Sequence, residues 1–413
     1  MRIIYELGLH IYALIAFIIS PFNEKAYQWC KGRKKTFTYL NSHIKDNDKI
    51  LWMHCASLGE FEQGRPLIES IKKKFPEYKI LLTFFSPSGY EIRKNYALAD
   101  YICYLPLDTR RNARKFIDMV HPDKVFFIKY EFWMNYLQEL SSHKIPLYLV
   151  SVIFNTEQLF FKNNIISSWY RKILFRVSYF FVQNQQSADL LSTIGIKNTM
   201  IIGDTRFDRV AEIAAQGKDL SIIKEFKGTS KLIVAGSSWQ PDEKLLIEYF
   251  RKNKKAKIIF APHEVKESNI KRLTGSFSEP VLRYSTAVKY SDINEYRIMI
   301  IDCVGILSSI YRYADIAYIG GGFGVGIHNT LEAAIYNIPV LFGPNYKKFQ
   351  EAVDLEKQGI AFHISTQKEL TAHFEDLIND ETKISQIKEK CGQFMQENIG
   401  ATNKVVNKVF EKL

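Results

Sequence analysis

Short runs of β-branched and aromatic residues alternate with longer helical stretches from residue 49 onward. This alternation is typical of βαβ units, which build parallel sheets. In the first half, the predicted strands are 50–55, 79–85, 101–104, 125–128, 147–152, 179–182 and 200–202. After a polar helical stretch at 208–231, a second set is predicted at 232–235, 258–260, 298–301, 316–319, 340–342 and 360–363. The pattern therefore predicts two doubly wound α/β domains.

The length of 413 residues fits two domains of roughly 150 to 200 residues better than one core. We place the boundary near 203–228, with a first domain at 31–210 and a second at 211–400. A separate segment at 1–30 precedes them, and a terminal helix at 401–413 follows. Because ligands of open parallel sheets bind at the carboxyl ends of the strands, the residues just after each strand are the candidates for function.

The first segment has membrane character, because residues 11–22 carry no charge and apolar residues extend the run backwards. Glu6 and His10 interrupt it, and a bilayer crossing needs about 20 mainly apolar residues. We therefore expect a spanning, tilted or interfacial membrane anchor; the alternative is an apolar first helix packed on the domain. Five basic residues at 25–35 follow, which by the positive-inside tendency leaves the rest of the chain in the cytoplasm.

The formal net charge of +12 favours contact with an anion: nucleic acid, acidic lipid headgroups or a phosphorylated substrate. The stretch 31–39 mixes charge with aromatic rings, which leaves nucleic-acid binding as an alternative, but the basic residues are dispersed and no nucleic-acid module is visible. No nucleic-acid partner is therefore expected. The five cysteines show no paired short spacing, so neither a zinc site nor a disulfide framework is predicted.

The first candidate for chemistry follows strand 50–55, where Ser57, Gly59 and Glu60 open a helix. Ser57 and Glu60 have the spacing of a capping box, so one interpretation is purely structural. The functional interpretation is that Glu60, at a helix start beside the cleft, is a general base that removes a proton from an acceptor hydroxyl.

The second candidate is the glycine-rich loop 320–329, which contains Gly322, Gly324 and Gly326 and is expected to enter a helix at 330–336. Glycines allow the backbone to approach a phosphate closely, and free amides at a helix start favour negative charge. A dinucleotide fingerprint competes, but the spacing is irregular and no acid follows the next strand. A tight turn without a ligand is the other alternative. In the following turn, Glu332 could accept hydrogen bonds from a ribose diol or simply compensate the helix dipole.

Two further groups lie at predicted strand ends, namely Glu131 and the stretch 203–208 with Arg206. Taken alone, each is typical of an ion-paired turn. The histidines at 54, 263 and 328 lack the spacing of metal ligands, so no metal and no other cofactor is predicted.

These motifs together resemble those of the 3-deoxy-D-manno-octulosonic acid (Kdo) transferases of lipopolysaccharide synthesis, and the resemblance runs through nearly the whole chain. Its carriers are 57–60, 131–133 with Asn135, 203–208, 261–263, 328–332 and 339–344. The last two, spaced as in that family after a glycine turn, are the most specific.

The resemblance implies an inverting glycosyltransferase of the GT-B fold, with two Rossmann-like domains facing across a cleft and an N-terminal membrane-anchor helix. It implies CMP-Kdo as the donor and a lipid A precursor such as lipid IVA as the acceptor. It also implies attachment to the anionic surface of the inner membrane, with the catalytic domains on the cytoplasmic face, and a final helix that crosses back over the first domain.

Residue by residue, Glu60 corresponds to the family's catalytic base, and Glu131 and Arg206 to positions for orientation and transition-state stabilisation. Ser57 and Gly59 fall on the acceptor side. The donor-nucleotide stretches correspond to Pro262, His263, Gly305, Ile306, Leu307, Asn329, Thr330, Leu331 and Glu332. Because base and phosphate-binding groups come from different domains, domain closure is expected. Another GT-B transferase that uses a UDP-sugar remains the alternative enzyme.

Overall fold

The computed structural model describes residues 2–410 and divides the chain into two compact units. The first unit is discontinuous: it ends at Arg209 and continues from Ile399. The second unit comprises Val210–Asn398. Each unit contains one parallel sheet covered by helices, which confirms the predicted α/β class with two doubly wound sheets.

The sheet of the first unit has seven parallel strands in the order β3-β2-β1-β4-β5-β6-β7. The strands are β1 Ile50–Cys55, β2 Lys79–Phe84, β3 Tyr101–Tyr104, β4 Pro122–Ile128, β5 Leu147–Val152, β6 Tyr179–Val182 and β7 Thr199–Ile201. All seven were predicted, to within three residues at each end. The order reverses between β1 and β4, so their carboxyl ends form a topological switch point.

Ten helices lie in the first unit, and an eleventh contains its boundary with the second. They are α1 Arg2–Ile19, α2 Glu24–Lys34, α3 Thr36–His43, α4 Leu58–Lys74, α5 Pro87–Arg93, α6 Arg110–Val120, α7 Met134–Ser142, α8 Ile165–Leu174, α9 Gln185–Thr193, α10 Thr205–Ala215 and α19 Ala401–Phe410, with a 3-10 turn at Leu159–Phe161. The boundary after Arg209 falls inside α10.

The second unit repeats the architecture with the order β10-β11-β9-β8-β12-β13-β14. Its strands are β8 Lys231–Ser238, β9 Ala256–Pro262, β10 Val281–Arg283, β11 Ile298–Ile300, β12 Ile316–Ile319, β13 Val340–Phe342 and β14 Ala361–His363. Its helices are α11 Ser221–Lys227, α12 Gln240–Lys252, α13 Glu267–Thr274, α14 Leu307–Ile310, α15 Leu331–Ala334, α16 Gln350–Lys357, α17 Gln367–Asn379 and α18 Glu381–Asn398, with 3-10 turns at Tyr284–Lys289, Ile293–Glu295 and Tyr311–Tyr313. The edge strand β10 was not predicted.

The sheet of the first unit is buried on both faces, as parallel sheets are. Trp52 and Phe127 pack in the cluster on one face, whereas Leu51 and Phe126 pack in the cluster on the other. This alternation follows from the two-residue period of a strand. A strand buried on both sides has little freedom, so it holds the loop after its carboxyl end in a defined position.

Helix α1 packs against the first unit through one narrow stripe of its own surface. The half-buried positions recur three or four residues apart, at Arg2, Tyr5, Glu6, Leu9, Ala13 and Ala16. Tyr5 donates to the buried Asp108 at 2.7 Å, and Arg2 donates to Asn135 at 2.9 Å. By length and composition, α1 is the one helix among residues 2–410 that could cross a membrane, and none of its residues is fully buried.

The C-terminal helix α19 is part of the first unit. Its start is capped by Asp208 on α10, whose carboxylate accepts from the amides of Gly400 at 2.5 Å and Thr402 at 2.6 Å. Its end stacks Phe410 on Phe75, with ring centroids 4.3 Å apart. A carboxylate at a helix start satisfies free amides and complements the helix dipole, so Asp208 ties α19 to this unit.

Candidate active site

The carboxyl end of β1 leads directly into α4, and Glu60 lies in the first turn of that helix. Ser57 is the residue before the helix, but its side chain makes no capping hydrogen bond to the backbone. Its hydroxyl donates to the Glu60 carboxylate instead, in a short contact. The capping-box interpretation is therefore wrong, because the two side chains bond to each other and neither forms a hydrogen bond with the backbone of the helix start. Gly59 is exposed between them.

Glu131 follows β4, the neighbour of β1 at the switch point. Its Oε2 accepts a hydrogen bond from the indole of Trp133 at 2.6 Å and lies 3.3 Å from Nε2 of the fully buried His54 on β1. The other ring nitrogen of His54, Nδ1, forms a hydrogen bond with the hydroxyl of Thr83 at 2.8 Å. The partners of Glu131 are thus an indole and an imidazole, and the contact with His54 is an ion pair when the imidazole is protonated.

The turn that carries Glu131 begins with Lys129, whose φ is +64°. A positive φ is unfavourable for a lysine and recurs at functional sites, where the surrounding structure maintains it. The Lys129 amide donates to the Val150 carbonyl at 2.9 Å, which anchors the turn to β5. The strained residue directs the chain out of the sheet just before Glu131.

Arg206, at the start of α10, forms an ion pair with the buried Asp204 at 2.7 Å. Asp204 also accepts from Gln63 at 3.0 Å and from the Arg206 amide at 2.9 Å. Burial alone would raise the pKa of Asp204, but the guanidinium and these donors lower it below its usual value. The ion-paired turn predicted for 203–208 is present, and it fixes the guanidinium of Arg206.

The candidate residues of the first unit share one electrostatic neighbourhood. Burial raises the pKa of the Cys55 thiol, and the charges of Glu60 and Glu131 raise it further. Burial likewise raises the pKa of Tyr130, with Asp204 and Glu60 adding to the shift and Arg206 opposing it. Glu60 and Glu131 follow β1 and β4, between which the order of the strands reverses, and Arg206 acts on Tyr130 beside Glu131.

In the second unit, the glycine-rich loop follows β12 next to the end of β8. A Cβ atom on Gly322 would lie 2.6 Å from the backbone of Gly343, and one on Gly320 would collide with the Ser237 carbonyl. These glycines are therefore required so that the loop can pack against neighbouring strand ends. The helix predicted at 330–336 is shorter in the structure, where it is the single turn Leu331–Ala334.

Several amides of this loop are already used within the protein. Gly324 and Gly326 donate to the Gly321 carbonyl, and Gly321 itself donates to the carboxylate of Asp242 at 2.9 Å. Asp242 is buried, and burial raises its pKa, although its donors lower it. A buried carboxylate thus occupies part of the predicted phosphate cradle, and only the remaining amides of the loop can receive a ligand.

Three aromatic rings from different strand ends stack in the same region. Trp239 follows β8, His263 follows β9 and His328 ends the glycine loop. The ring centroids are 4.5 Å apart from Trp239 to His263 and again from His263 to His328. Trp239 also donates to Nε2 of His328 at 3.1 Å. Burial, together with the charge of His263, lowers the pKa of His328 below its ordinary value.

The residues after His328 form a compact turn. The Asn329 side chain donates to Glu332 at 3.2 Å and accepts from the Leu331 amide at 3.1 Å. Thr330 is fully buried, and its hydroxyl has no hydrogen-bond partner among residues 2–410. Leu331 packs inside, while Glu332 is half-buried.

The other predicted nucleotide positions lie at neighbouring strand ends of the same sheet. Pro262 is the last residue of β9, and His263 beside it is exposed. Gly305 adopts a φ of +89° in the segment between β11 and α14, followed by the half-buried Ile306 and Leu307. Pro262 and His263 thus lie at the end of β9, and the turn 328–332 follows β12. Only β8 separates these two strands in the sheet. Residues 305–307 follow β11, which pairs with β9 on its other side.

Sequence reasoning missed four residues of these regions: His54, Thr83, Trp239 and Asp242. Two of them carry a visible signal, because His54 and Thr83 are polar residues inside otherwise apolar strands. Trp239 and Asp242 show no such signal, since their partners lie about 80 to 90 residues further along the chain.

The two parallel seven-stranded sheets define the class: the protein has a GT-B type fold. Of the solved structures, UDP-GlcNAc 2-epimerase from Neisseria meningitidis, bound to UDP-GlcNAc, has a TM-score of 0.60 at 15% identity. The match covers 88% of this chain and 100% of that one. At this identity the likeness concerns the fold.

Residues 31–209 match the model of the 3-deoxy-D-manno-octulosonic-acid transferase (kdotransferase) family. The chain is 27% identical to the 3-deoxy-D-manno-octulosonic acid transferase of Aquifex aeolicus, across 83% of this chain and 89% of the relative. It is 26% identical to the transferase of the same name from Rickettsia bellii, across 96% of each. The chain therefore carries a domain of the Kdo transferase family at 31–209 and is related to Kdo transferases over most of its length.

Proposed function

We propose that this protein is an inverting glycosyltransferase that moves Kdo from CMP-Kdo to a lipid A precursor, lipid IVA, in lipopolysaccharide biosynthesis. The relationship to Kdo transferases over most of the chain supports the sugar and the reaction type. The observation that carries the assignment of roles is Glu60, whose carboxylate is bound by a hydroxyl and not by the helix backbone.

In this proposal, the acceptor hydroxyl loses its proton to Glu60 while its oxygen attacks the anomeric carbon of Kdo. The bond from that carbon to the phosphate oxygen breaks, and CMP leaves with the electron pair. A glycosyl phosphate already has a good leaving group, so the enzyme must supply a base and a positive potential for the phosphate. The contact from Ser57 supports this role, because the Glu60 carboxylate already accepts a hydrogen bond from a hydroxyl there.

Glu131 and Arg206 serve as orienting and charge-stabilising groups in this proposal, and the donor nucleotide binds at 262–263, 305–307 and 322–332. The reaction needs no metal ion and no other cofactor. The protein acts at the inner membrane, with both units on the cytoplasmic side and α1 as the attachment.

The test replaces Glu60 with Gln and, separately, with Ala. We expect transfer to Kdo-free lipid IVA to fall at least about a hundredfold, because general base catalysis contributes that much or more. Binding of CMP, measured by calorimetry, should remain. Glu62→Gln is the matched control: the residue lies on the same helix and pairs with Arg93 at 2.8 Å.

Substantial transfer by Glu60→Ala would overturn the assignment of the base. A shift in melting temperature produced by UDP and not by CMP would overturn the assignment of the donor and favour a transferase that uses a UDP-sugar.

A further inference from the structure

A small basic pocket lies where α1 begins. It has a volume of about 190 Å³, and its lining includes Arg2 from α1, Gln138 from α7, and Trp169, Lys172 and Arg176 from α8 and its C-terminal end. Three of these side chains are cations: Arg2 comes from α1, and Lys172 and Arg176 come from one segment, in and just after α8. The fold therefore assembles a concentration of positive charge that no stretch of sequence contains.

No acidic residue lines this pocket. Among residues 2–410, neither Arg2, Lys172 nor Arg176 takes part in an ion pair. Arg176 donates to Gln138 and to the Lys172 carbonyl, and Arg2 donates to Asn135, so the hydrogen-bond partners are neutral. Burial lowers the pKa of Arg176, and the charge of Arg2 lowers it further, so the cations repel one another. An anion in the pocket would relieve this repulsion.

A larger cavity on the same unit differs from the small pocket, because acidic residues take part in its lining. It has a volume of about 920 Å³ and is lined by four cations of α6, but also by Glu6, Asp46, Asp48 and Asp118. One of these acids, Asp118, lies 3.7 Å from Arg114. With Lys45, five basic residues and four acids line that cavity, so its charges largely offset one another, whereas no acid lines the small pocket.

Apolar side chains flank the small pocket. Ile3 and Ile4, next to Arg2, are 84% and 66% exposed. On α8, Ile166 is 47% exposed one helical turn before Trp169, and Ile165 is 86% exposed beside it. Exposed aliphatic residues, a tryptophan and cations with no acid are the combination that proteins use at the level of lipid headgroups.

We propose that this pocket binds the phosphate group of a membrane lipid, so that the start of α1 and the C-terminal part of α8 lie at the headgroup level. Lys172 and Arg176 supply the charge from α8, and Arg2 supplies it from α1. Because Tyr5 and Arg2 are bound to the first unit, this places α1 along the membrane surface and not across it. The proposal concerns lipid binding and does not depend on the sugar that is transferred.

The test measures binding of the full chain, without donor or acceptor, to vesicles made of equal parts phosphatidylcholine and phosphatidic acid. We expect the double substitution Lys172→Gln with Arg176→Gln to weaken binding at least about tenfold, since each basic residue near an anionic membrane contributes on the order of fivefold. The melting temperature should change little, because the substitutions remove a repulsion together with the hydrogen bonds that Arg176 donates to Gln138 and the Lys172 carbonyl.

The matched control is Lys388→Gln with Lys390→Gln, which removes the same two charges from exposed positions on α18. This variant should bind the vesicles within about twofold of the unchanged protein, since its charges lie outside the proposed headgroup site. An equal loss in both double variants would show attraction by net charge alone and would overturn the proposal, as would no loss in either.

A competition experiment separates a lipid headgroup from a soluble ion. Inorganic phosphate, compared with chloride at the same ionic strength, should leave vesicle binding unchanged. Displacement of the vesicles by phosphate alone would overturn the lipid assignment and identify a site for a free anion.

Discussion

The indole nitrogen of Trp133 lies 2.6 Å from Oε2 of Glu131, and the buried His54 faces the same oxygen at 3.3 Å. The carboxylate is thus held by two groups, one from its own turn and one from the neighbouring strand β1. Because His54 is fixed in turn by Thr83, the orientation of Glu131 depends on the core of the sheet.

Removing the indole donor should therefore impair the reaction without unfolding the protein. We expect Trp133→Phe to lower kcat about tenfold to a hundredfold, since a hydrogen bond to a charged group contributes about 1.5 to 3 kcal/mol. The KM for the donor should change little. Steady-state kinetics of Kdo transfer measures both.

Trp29→Phe is the control, because the buried Trp29 indole has no hydrogen-bond partner within residues 2–410. A kcat for Trp133→Phe equal to that of the control would mean that the indole does not orient a group used in the reaction.

Asp208 should matter for stability and not for chemistry. Asp208→Ala removes the acceptor of the Gly400 and Thr402 amides, and the loss of a helix cap costs about 0.5 to 2 kcal/mol. We expect a lower melting temperature and faster amide exchange in α19, with kcat almost unchanged. Unaltered exchange in α19 would contradict the assigned role.

The buried Asp108, which accepts from Tyr5, should make the stability of the first unit depend on pH. Burial raises its pKa to about 7, although its three donors oppose the shift. The folded state therefore holds a proton that the unfolded state has lost, so stability falls as pH rises from about 4 to about 7 and then levels off. The slope is at most about 1.4 kcal/mol per pH unit.

Urea unfolding at several pH values measures this dependence, and Asp108→Asn should flatten it. An equally steep dependence in the variant would show that other groups are responsible.

Chelation should leave transfer intact. A dialysed enzyme treated with EDTA is expected to keep its full rate with CMP-Kdo and lipid IVA. Restoration of a lost rate by Mg²⁺ would contradict the predicted independence of metal ions.

The sequence by itself determined the strands and their parallel arrangement, because runs of apolar residues such as 50–55 and 316–319 fit only buried strands at this spacing. It also located Glu60, in the helix start after strand 50–55, and the turn 328–332, at the end of the glycine-rich loop that follows strand 316–319. Local order along the chain is enough for such predictions.

Tertiary structure alone decided what these residues contact. The Asp242 carboxylate that fills part of the glycine loop is separated from Gly321 by 79 positions, and Asp208 lies 192 positions from the amide that it caps. Periodicity describes only neighbours three or four residues apart, so contacts between distant segments depend on the packing of the sheet. For the same reason, Arg2 joins Lys172 and Arg176 in the basic pocket only in the folded chain.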